Sequence, residues 1–165
     1  MLQWLSDPLP ALKEIERVLE VGGLFMFSTL GPDTLKELRQ ALGEASPRVH
    51  RFMDMHDIGD MLMAAGFAEP VMDMEVLTLT YGGADNLLKD LRLSGSMNAA
   101  QARHRGLSGR KGWQQALAAL ESARRDGRLP ATFEVVYGHA WKARPRTTVD
   151  GRAIVDFDPS RRGRP

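Results

Sequence analysis

Five basic side chains lie close together in one polar segment of the chain. They are Arg103, His104, Arg105, Arg110 and Lys111. Guanidinium and ammonium groups pair with carboxylates and phosphates, so this segment is suited to docking an acidic partner. A plain solvated helix or loop face is the other interpretation, and both stay open. Nucleic acid is not favoured, because no aromatic residues interleave the run and the net charge is only +1.

A tyrosine and a histidine stand two residues apart near the end of the last apolar segment. Tyr137 and His139 share one face if that segment is a strand, because side chains alternate between the faces. One interpretation is that they line a pocket together. The simpler one is that His139 is a polar residue of the strand face or a hydrogen-bonded core residue.

Several kinds of chemistry are excluded or disfavoured by the residues that the chain carries. It has no cysteine, which excludes disulfides, thiolate nucleophiles and cysteine-ligated metals. No pair among the four histidines has the helical spacing of metal ligands, and nine methionines are more typical of adaptable packing, so we expect no metal site. No nucleophile elbow, phosphate-loop lysine motif or zinc-protease helix is present.

The bulk properties indicate one globular domain with a short tail. The chain has 165 residues, of which 43% are hydrophobic, enough for a single core. No apolar run approaches the ~20 residues of a membrane span, and the first residues lack the regions of a signal peptide. We therefore expect a cytoplasmic protein that does not bind a membrane.

The segment Leu12–Thr29 predicts a helix, a glycine turn and a strand. Four apolar residues recur at helical spacing: Leu12, Ile15, Val18 and Leu19. Gly22 and Gly23 are expected to end the helix, because glycine accepts the left-handed backbone of a helix terminus. The next residues, Leu24–Phe27, are all apolar, which is typical of a strand buried on both faces of a parallel sheet.

Further elements follow along the chain. Asp54 is expected to cap a helix that ends at Gly66, and Val71–Tyr81 is expected to form a long strand. Helical patterns follow up to Gly127, and Thr132–Trp141 reads as the last strand. From residue 143 the composition turns to arginine, aspartate and proline, which is typical of a tail without its own core.

Several strings of the sequence resemble one enzyme family. RVLEVGGLFMFSTLGPDTLKELR is similar to the helix-to-strand region of class I S-adenosylmethionine-dependent methyltransferases. The strings MHDIGDML and FEVVYGHAW are more specific. Together they resemble the biotin-synthesis methyltransferases, which are malonyl-acyl-carrier-protein O-methyltransferases, over about residues 2 to 142.

The resemblance implies an α/β fold: the carboxyl-terminal half of a Rossmann-like class I methyltransferase sheet with an inserted helical cover. We expect a partial methyltransferase domain at 1–142, in which 85–126 cover the substrate, and a poorly ordered Arg-rich tail at 143–165. Leu2–Trp4 would be the end of a strand. The family's cofactor-binding strands, with their glycine-rich turn, are expected to be missing, which amounts to roughly 100 residues of a ~250-residue domain.

The implied reaction transfers a methyl group from S-adenosylmethionine to the free carboxylate of a malonyl thioester, in biotin (pimelate) synthesis. A carboxylate is ionised at neutral pH and needs alignment rather than a general base, so no catalytic side chain is assigned. We expect this to be part of a longer enzyme, the chain alone being inactive and not binding S-adenosylmethionine. The alternative is a non-catalytic interaction module that binds an acidic partner such as a carrier protein.

The implied site residues follow from the rule that ligands bind at the carboxyl ends of strands. Gln3 and Trp4 would lie at the edge of the cofactor site. The substrate-side candidates are Thr29, Leu30, Arg92, Arg103, Arg105, Tyr137 and His139. The expected partners are malonyl-acyl-carrier protein or another malonyl thioester, and a second copy of the chain through the uncovered sheet edge.

Overall fold

A computed structural model describes residues 2–44, 46, 49–95 and 109–145. After a single 3-10 turn at Leu2–Trp4 come α1 (Leu9–Val18), β1 (Leu24–Leu30), α2 (Lys36–Leu42), α3 (Met55–Ala65), β2 (Phe67–Tyr81), α4 (Ala84–Leu93), α5 (Arg110–Ser122) and β3 (Leu129–Lys142). The alternation of helices and strands confirms the predicted α/β class.

The three described strands form one sheet in the order β1-β3-β2, and both pairings are antiparallel. The prediction that β1 is a parallel strand buried on both faces is therefore wrong for the described residues. β3 runs between β1 and β2 in the opposite direction, and one face of β1 is open. Leu24 and Met26 on that face are 39% and 69% exposed. A run of apolar residues does not distinguish such a strand from one covered on both sides.

Two apolar clusters hold the helices on the sheet. The first joins α1 and α3 to the ends of the strands and contains Leu12, Leu62, Ala65, Phe67 and Ala140. The second lies towards α2, α4 and α5 and contains Leu38, Val49, Ala84, Leu87, Leu120, Leu129 and Ala131. Among the apolar helix residues predicted from periodicity, Leu12 and Leu62 are fully buried, whereas Val18 at the end of α1 is 63% exposed.

The ends of α3 agree with those predicted from the sequence, whereas the ends of two other helices differ from the prediction. Asp54 accepts a hydrogen bond from the His56 amide at 2.8 Å, and Gly66 ends α3 with φ +104°, both as predicted. The first helix ends at Val18, and Gly22, with φ +78°, belongs to a separate turn. The last helix ends at Ser122 rather than at Gly127.

The segment Leu2–Trp4 is a 3-10 turn and not the end of a strand. The Leu5 amide donates to the Leu2 carbonyl at 3.0 Å, which curls this segment away from an extended path. The helices α4 and α5 lie between β2 and β3, within the predicted helical cover. Residues 96–108 of that cover and 146–165 of the predicted tail lie outside the described residues. No helix in the described part is long and apolar enough to cross a membrane.

Candidate functional site

A small hollow opens at the carboxyl end of β1. It has a volume of about 30 Å³, which is room for one or two water-sized groups. At this hollow, Thr29 and Leu30 of β1 lie next to the first turn of the chain and the loop before α3. The other lining residues are Leu2, Gln3, Leu5, Pro8, Leu12, His50, Arg51, Phe52, Met53, Ile58 and Met61.

A buried carboxylate fixes the turn that follows β1. Glu134 of β3 is 5% exposed, and its Oε2 accepts a hydrogen bond from the Asp33 amide at 2.7 Å. The Gly31 amide donates to the Glu134 carbonyl at 2.9 Å, and the Thr34 hydroxyl donates to the same carbonyl at 3.1 Å. A Cβ atom at Gly31 would overlap the Glu134 carboxyl group. The end of β1 is therefore held rigidly beside the hollow.

Aromatic rings hold the opposite wall. The His50 ring lies between Trp4, at a centroid distance of 6.2 Å, and Phe52, at 5.1 Å in an edge-to-face arrangement. Its Nδ1 atom is buried and has no hydrogen-bond partner among the described residues. Buried polar atoms in folded proteins nearly always have such a partner, so this nitrogen is an exception that calls for an explanation.

The only permanently charged side chain that lines the hollow in the described part of the chain is Arg51. Arg51 adjoins His50, and its Nη2 donates to the Glu44 carbonyl at 2.6 Å, which anchors the guanidinium. Among the described residues, no aspartate or glutamate lines the hollow. A guanidinium has five N–H donors, so Arg51 keeps donors for a second group. The hollow thus offers an apolar floor with positive charge on one side.

The structure brings part of the predicted site together. Gln3, Thr29 and Leu30 all line the hollow, and Trp4 contacts His50 beside it. Arg92 is exposed in the last turn of α4, away from the hollow. Arg103 and Arg105 lie outside the described residues.

Tyr137 and His139 lie on the other face of the sheet. In the strand register Thr29 pairs with the buried Val136, whereas Tyr137 pairs with Ser28 and His139 with Met26. The Tyr137 hydroxyl donates to the Glu75 carboxylate of β2, and this hydrogen bond raises the pKa of Tyr137. The structure therefore does not bring this pair to the hollow.

The sequence reasoning missed the loop that carries His50, Arg51 and Phe52. This stretch has no periodic pattern and reads as an ordinary loop. Its signal in the sequence is a pair of basic residues followed by an aromatic residue, just before the cap at Asp54.

The hollow does not by itself fit S-adenosylmethionine. The hollow of about 30 Å³ is small beside the roughly 300–1,000 Å³ of typical ligand pockets. No glycine-rich turn after a strand faces it from the described segments, and Gln3 and Trp4 offer only an edge. No cluster of three potential metal ligands occurs in the described part of the chain.

Comparison with solved structures identifies the class of fold. The chain resembles a candidate methyltransferase from Bacillus halodurans C-125, with a TM-score of 0.53 at 16% identity, over 86% of this chain and 61% of that one. It also resembles the YcgJ protein from Bacillus subtilis, with a TM-score of 0.52 at 13% identity, over 87% and 61%. The described fold is accordingly part of a class I methyltransferase fold, as predicted.

Sequence comparison then finds relatives that share one name. The chain is 58% identical over 150 residues to a malonyl-[acyl-carrier protein] O-methyltransferase of Nitrosospira multiformis, covering 90% of the chain and 49% of that protein. It is 55% identical over 163 residues to the protein of that name in Laribacter hongkongensis, covering 96% and 55%. The predicted resemblance to these methyltransferases is thereby confirmed, and the chain spans about half the length of the curated relatives it matches. No protein-family model matches the chain.

Proposed function

We propose that this chain forms the acceptor side of an S-adenosylmethionine-dependent malonyl-[acyl-carrier protein] O-methyltransferase that acts in biotin synthesis in the cytoplasm. The observation that carries the proposal is the identity of 58% over 150 residues with a curated enzyme of that name. The fold supports it, because the hollow lies at the carboxyl end of β1, where ligands of open α/β sheets bind.

The proposed chemistry suits a site without an acid–base pair. The free carboxylate of a malonyl group is already ionised at neutral pH, so the protein has to desolvate and orient it. The methyl donor, when bound, supplies an electrophilic methyl group. The apolar walls of the hollow, among them Leu2, Leu30 and Phe52, would exclude water from the acceptor. The rigid turn at Gly31 would keep its position fixed.

The donor side of the reaction needs residues that the described part of the chain does not provide. We therefore propose that this chain acts as part of a longer enzyme and is inactive by itself. Calorimetric titration with S-adenosylmethionine should show weak binding or none. Tight stoichiometric binding would contradict this part of the proposal.

The carrier protein is the proposed macromolecular partner. Arg92 ends α4 and Arg110 and Lys111 begin α5, all three being exposed, so they flank the segment that contains Arg103 and Arg105. Such a cationic surface would attract an acidic carrier. Charge reversal of Arg103 and Arg105 should weaken carrier binding at low salt, and unchanged affinity would reject this docking role. A carrier that binds without any methyl transfer would instead favour the interaction module.

Self-association through the sheet is a further proposal. Within the described chain, β1 is paired on one edge only, and its outer face exposes Leu24 and Met26. Unpaired strand edges next to apolar surface favour pairing with another chain. Sedimentation should therefore detect a dimer or larger assembly. A monodisperse monomer would contradict it.

A chimera tests the proposed reaction. The matched half of the Nitrosospira multiformis relative would be replaced by this chain, and methyl transfer to malonyl-carrier protein would be followed by mass spectrometry. Acetyl-carrier protein, which has no free carboxylate, is the control substrate. Methylation of the malonyl form alone is the expected result.

A further inference from the structure

Two neighbouring basic residues in the hollow are not explained by the packing of the fold. His50 and Arg51 both line it, opposite the end of β1. Neither residue forms a described ion pair with an acidic side chain. The Arg51 guanidinium is held by the Glu44 carbonyl, and the His50 ring is held by Trp4 and Phe52. Each group therefore has a contact that positions it beside the hollow.

The buried Nδ1 of His50 points to a missing hydrogen-bond partner. It finds none among the described residues, and leaving a buried polar group unpaired is unfavourable. The floor around it is apolar, and an oxygen atom of a bound group would supply such a partner. With its proton on Nδ1, the ring would donate to an oxygen atom.

The charge and the volume of the hollow restrict the kind of ligand group that would pair with His50. The hollow is lined by His50 and Arg51 and, within the described chain, by no carboxylate, which favours an anion. Its volume of about 30 Å³ admits a terminal carboxylate and excludes a nucleoside. The apolar residues Leu2, Leu5 and Met61 line the same space.

We propose that His50 and Arg51 bind the terminal carboxylate of the acyl thioester, with the His50 Nδ1–H donating to one carboxylate oxygen and the Arg51 guanidinium pairing with the charge. The identity of the ligand as a malonyl thioester rests on the proposed function. It locates acceptor recognition in the loop before α3, whereas Arg92 on α4 lies away from the hollow.

The test uses the chain itself and no methyl donor. The chain is titrated with malonyl-N-acetylcysteamine and with the methyl ester of the same thioester, which differs by lacking the free carboxylate. A hydrogen bond to a charged group is stronger than a neutral one. The malonyl thioester should therefore bind at least about tenfold more tightly than its methyl ester. The nitrogen-15 signal of the His50 ring should shift with the malonyl thioester only.

Substitutions identify the residues responsible. His50→Phe keeps an aromatic ring next to Trp4 and Phe52 and should abolish the preference for the malonyl thioester over its methyl ester. Arg51→Gln should reduce this preference. His56→Phe is the matched control, because that histidine is exposed on α3 and should retain the full preference. Thermal unfolding of each variant establishes that it is folded.

The outcomes separate this proposal from the proposed function. Equal binding of the two thioesters, no binding of the malonyl thioester, or a preference that survives His50→Phe would each overturn the proposed carboxylate site. A His50-dependent preference in a chain whose chimera transfers no methyl group would support the site and reject the methyltransferase function. Methyl transfer by the chimera, with no effect of His50→Phe on the binding preference, would support the methyltransferase function and reject the carboxylate site.

Discussion

A single glycine makes room for two side chains to pack across the middle strand of the sheet. Gly138 of β3 lies directly between Phe27 of β1 and Met72 of β2. A Cβ atom there would overlap the Phe27 ring and approach the Met72 sulfur to 2.9 Å. The absence of a side chain at Gly138 is therefore what allows these two side chains to pack over the sheet.

Gly138→Ala should lower the free energy of unfolding by about 1–3 kcal/mol, because overpacking displaces Phe27 or the backbone. Urea unfolding followed by circular dichroism measures the change. Gly112→Ala is the control, since nothing lies within 4 Å of its added Cβ in α5, and stability should stay the same or rise by up to about 1 kcal/mol. Equal effects of the two substitutions would contradict the close approach.

A tyrosine with a shifted pKa gives a second test. Burial, together with the hydrogen bond that the Tyr81 hydroxyl donates to Asp90 at 2.8 Å, raises the pKa of Tyr81 from 10.0 to about 12. The raised pKa means that its contribution to stability is complete below pH 10 and is lost as the pH rises towards 12.

Absorbance titration of Tyr137→Phe, which leaves Tyr81 as the only tyrosine, should give a tyrosinate midpoint near 12. Asp90→Ala should lower this midpoint without returning it to the ordinary value, because burial is the larger cause. A midpoint at 10 in the folded protein would show that the side chain is not buried as described.

The sequence predicted the residues of the hollow unequally. Thr29 and Leu30 are predicted at the end of a strand, where ligands bind in α/β sheets, and they line the hollow. Gln3 also lines it, although it lies in a 3-10 turn and not at the predicted strand end. His50 and Arg51 escaped prediction because their loop has no periodicity, and its course depends on ring contacts with Trp4 and Phe52. Such contacts between distant segments leave no local pattern in the sequence.

Among the elements, α4 and α5 are joined by one carboxylate. Glu121 near the end of α5 accepts the Ala84 amide at the start of α4 at 2.6 Å, and its second oxygen accepts from Arg124 at 2.6 Å. Arg124 also donates to the Gly82 carbonyl at 2.6 Å. These bonds hold the proposed substrate cover against the turn after β2.

Glu121→Gln should lower the Tm, because it weakens both the helix cap and the pair with Arg124. The Ala84 amide, and then Arg124, hold the pKa of Glu121 below its usual 4.5. Its contribution is therefore present above pH 4.5 and is lost as the pH falls further. Glu14→Gln is the control, because Glu14 pairs with Arg17 within one exposed helix. An equal loss of Tm in both variants would contradict the capping role.

Periodicity predicted the existence of the elements better than their partners or ends. The apolar spacing from Leu12 located α1 because one helix face packs on the sheet. It misplaced the helix end, since Leu19 adopts an extended backbone three residues before Gly22. The direction of β1 relative to its neighbour could not be predicted, because it depends on β3, which lies more than a hundred residues later.

The described part of the molecule has a small hollow at the carboxyl end of β1, lined by apolar and basic residues. The matched relatives are about twice as long as the chain, which covers 49% of one and 55% of another. The central claim is that the residues around the end of β1 receive the malonyl group. The donor would be held by residues that the described part does not contain.

Methyl transfer by the chimera with the Nitrosospira multiformis relative tests this claim most directly. The account predicts that malonyl-carrier protein gains one methyl ester from S-adenosylmethionine, that acetyl-carrier protein gains none, and that the isolated chain produces neither. A folded chimera that binds S-adenosylmethionine and leaves malonyl-carrier protein unmethylated would contradict it.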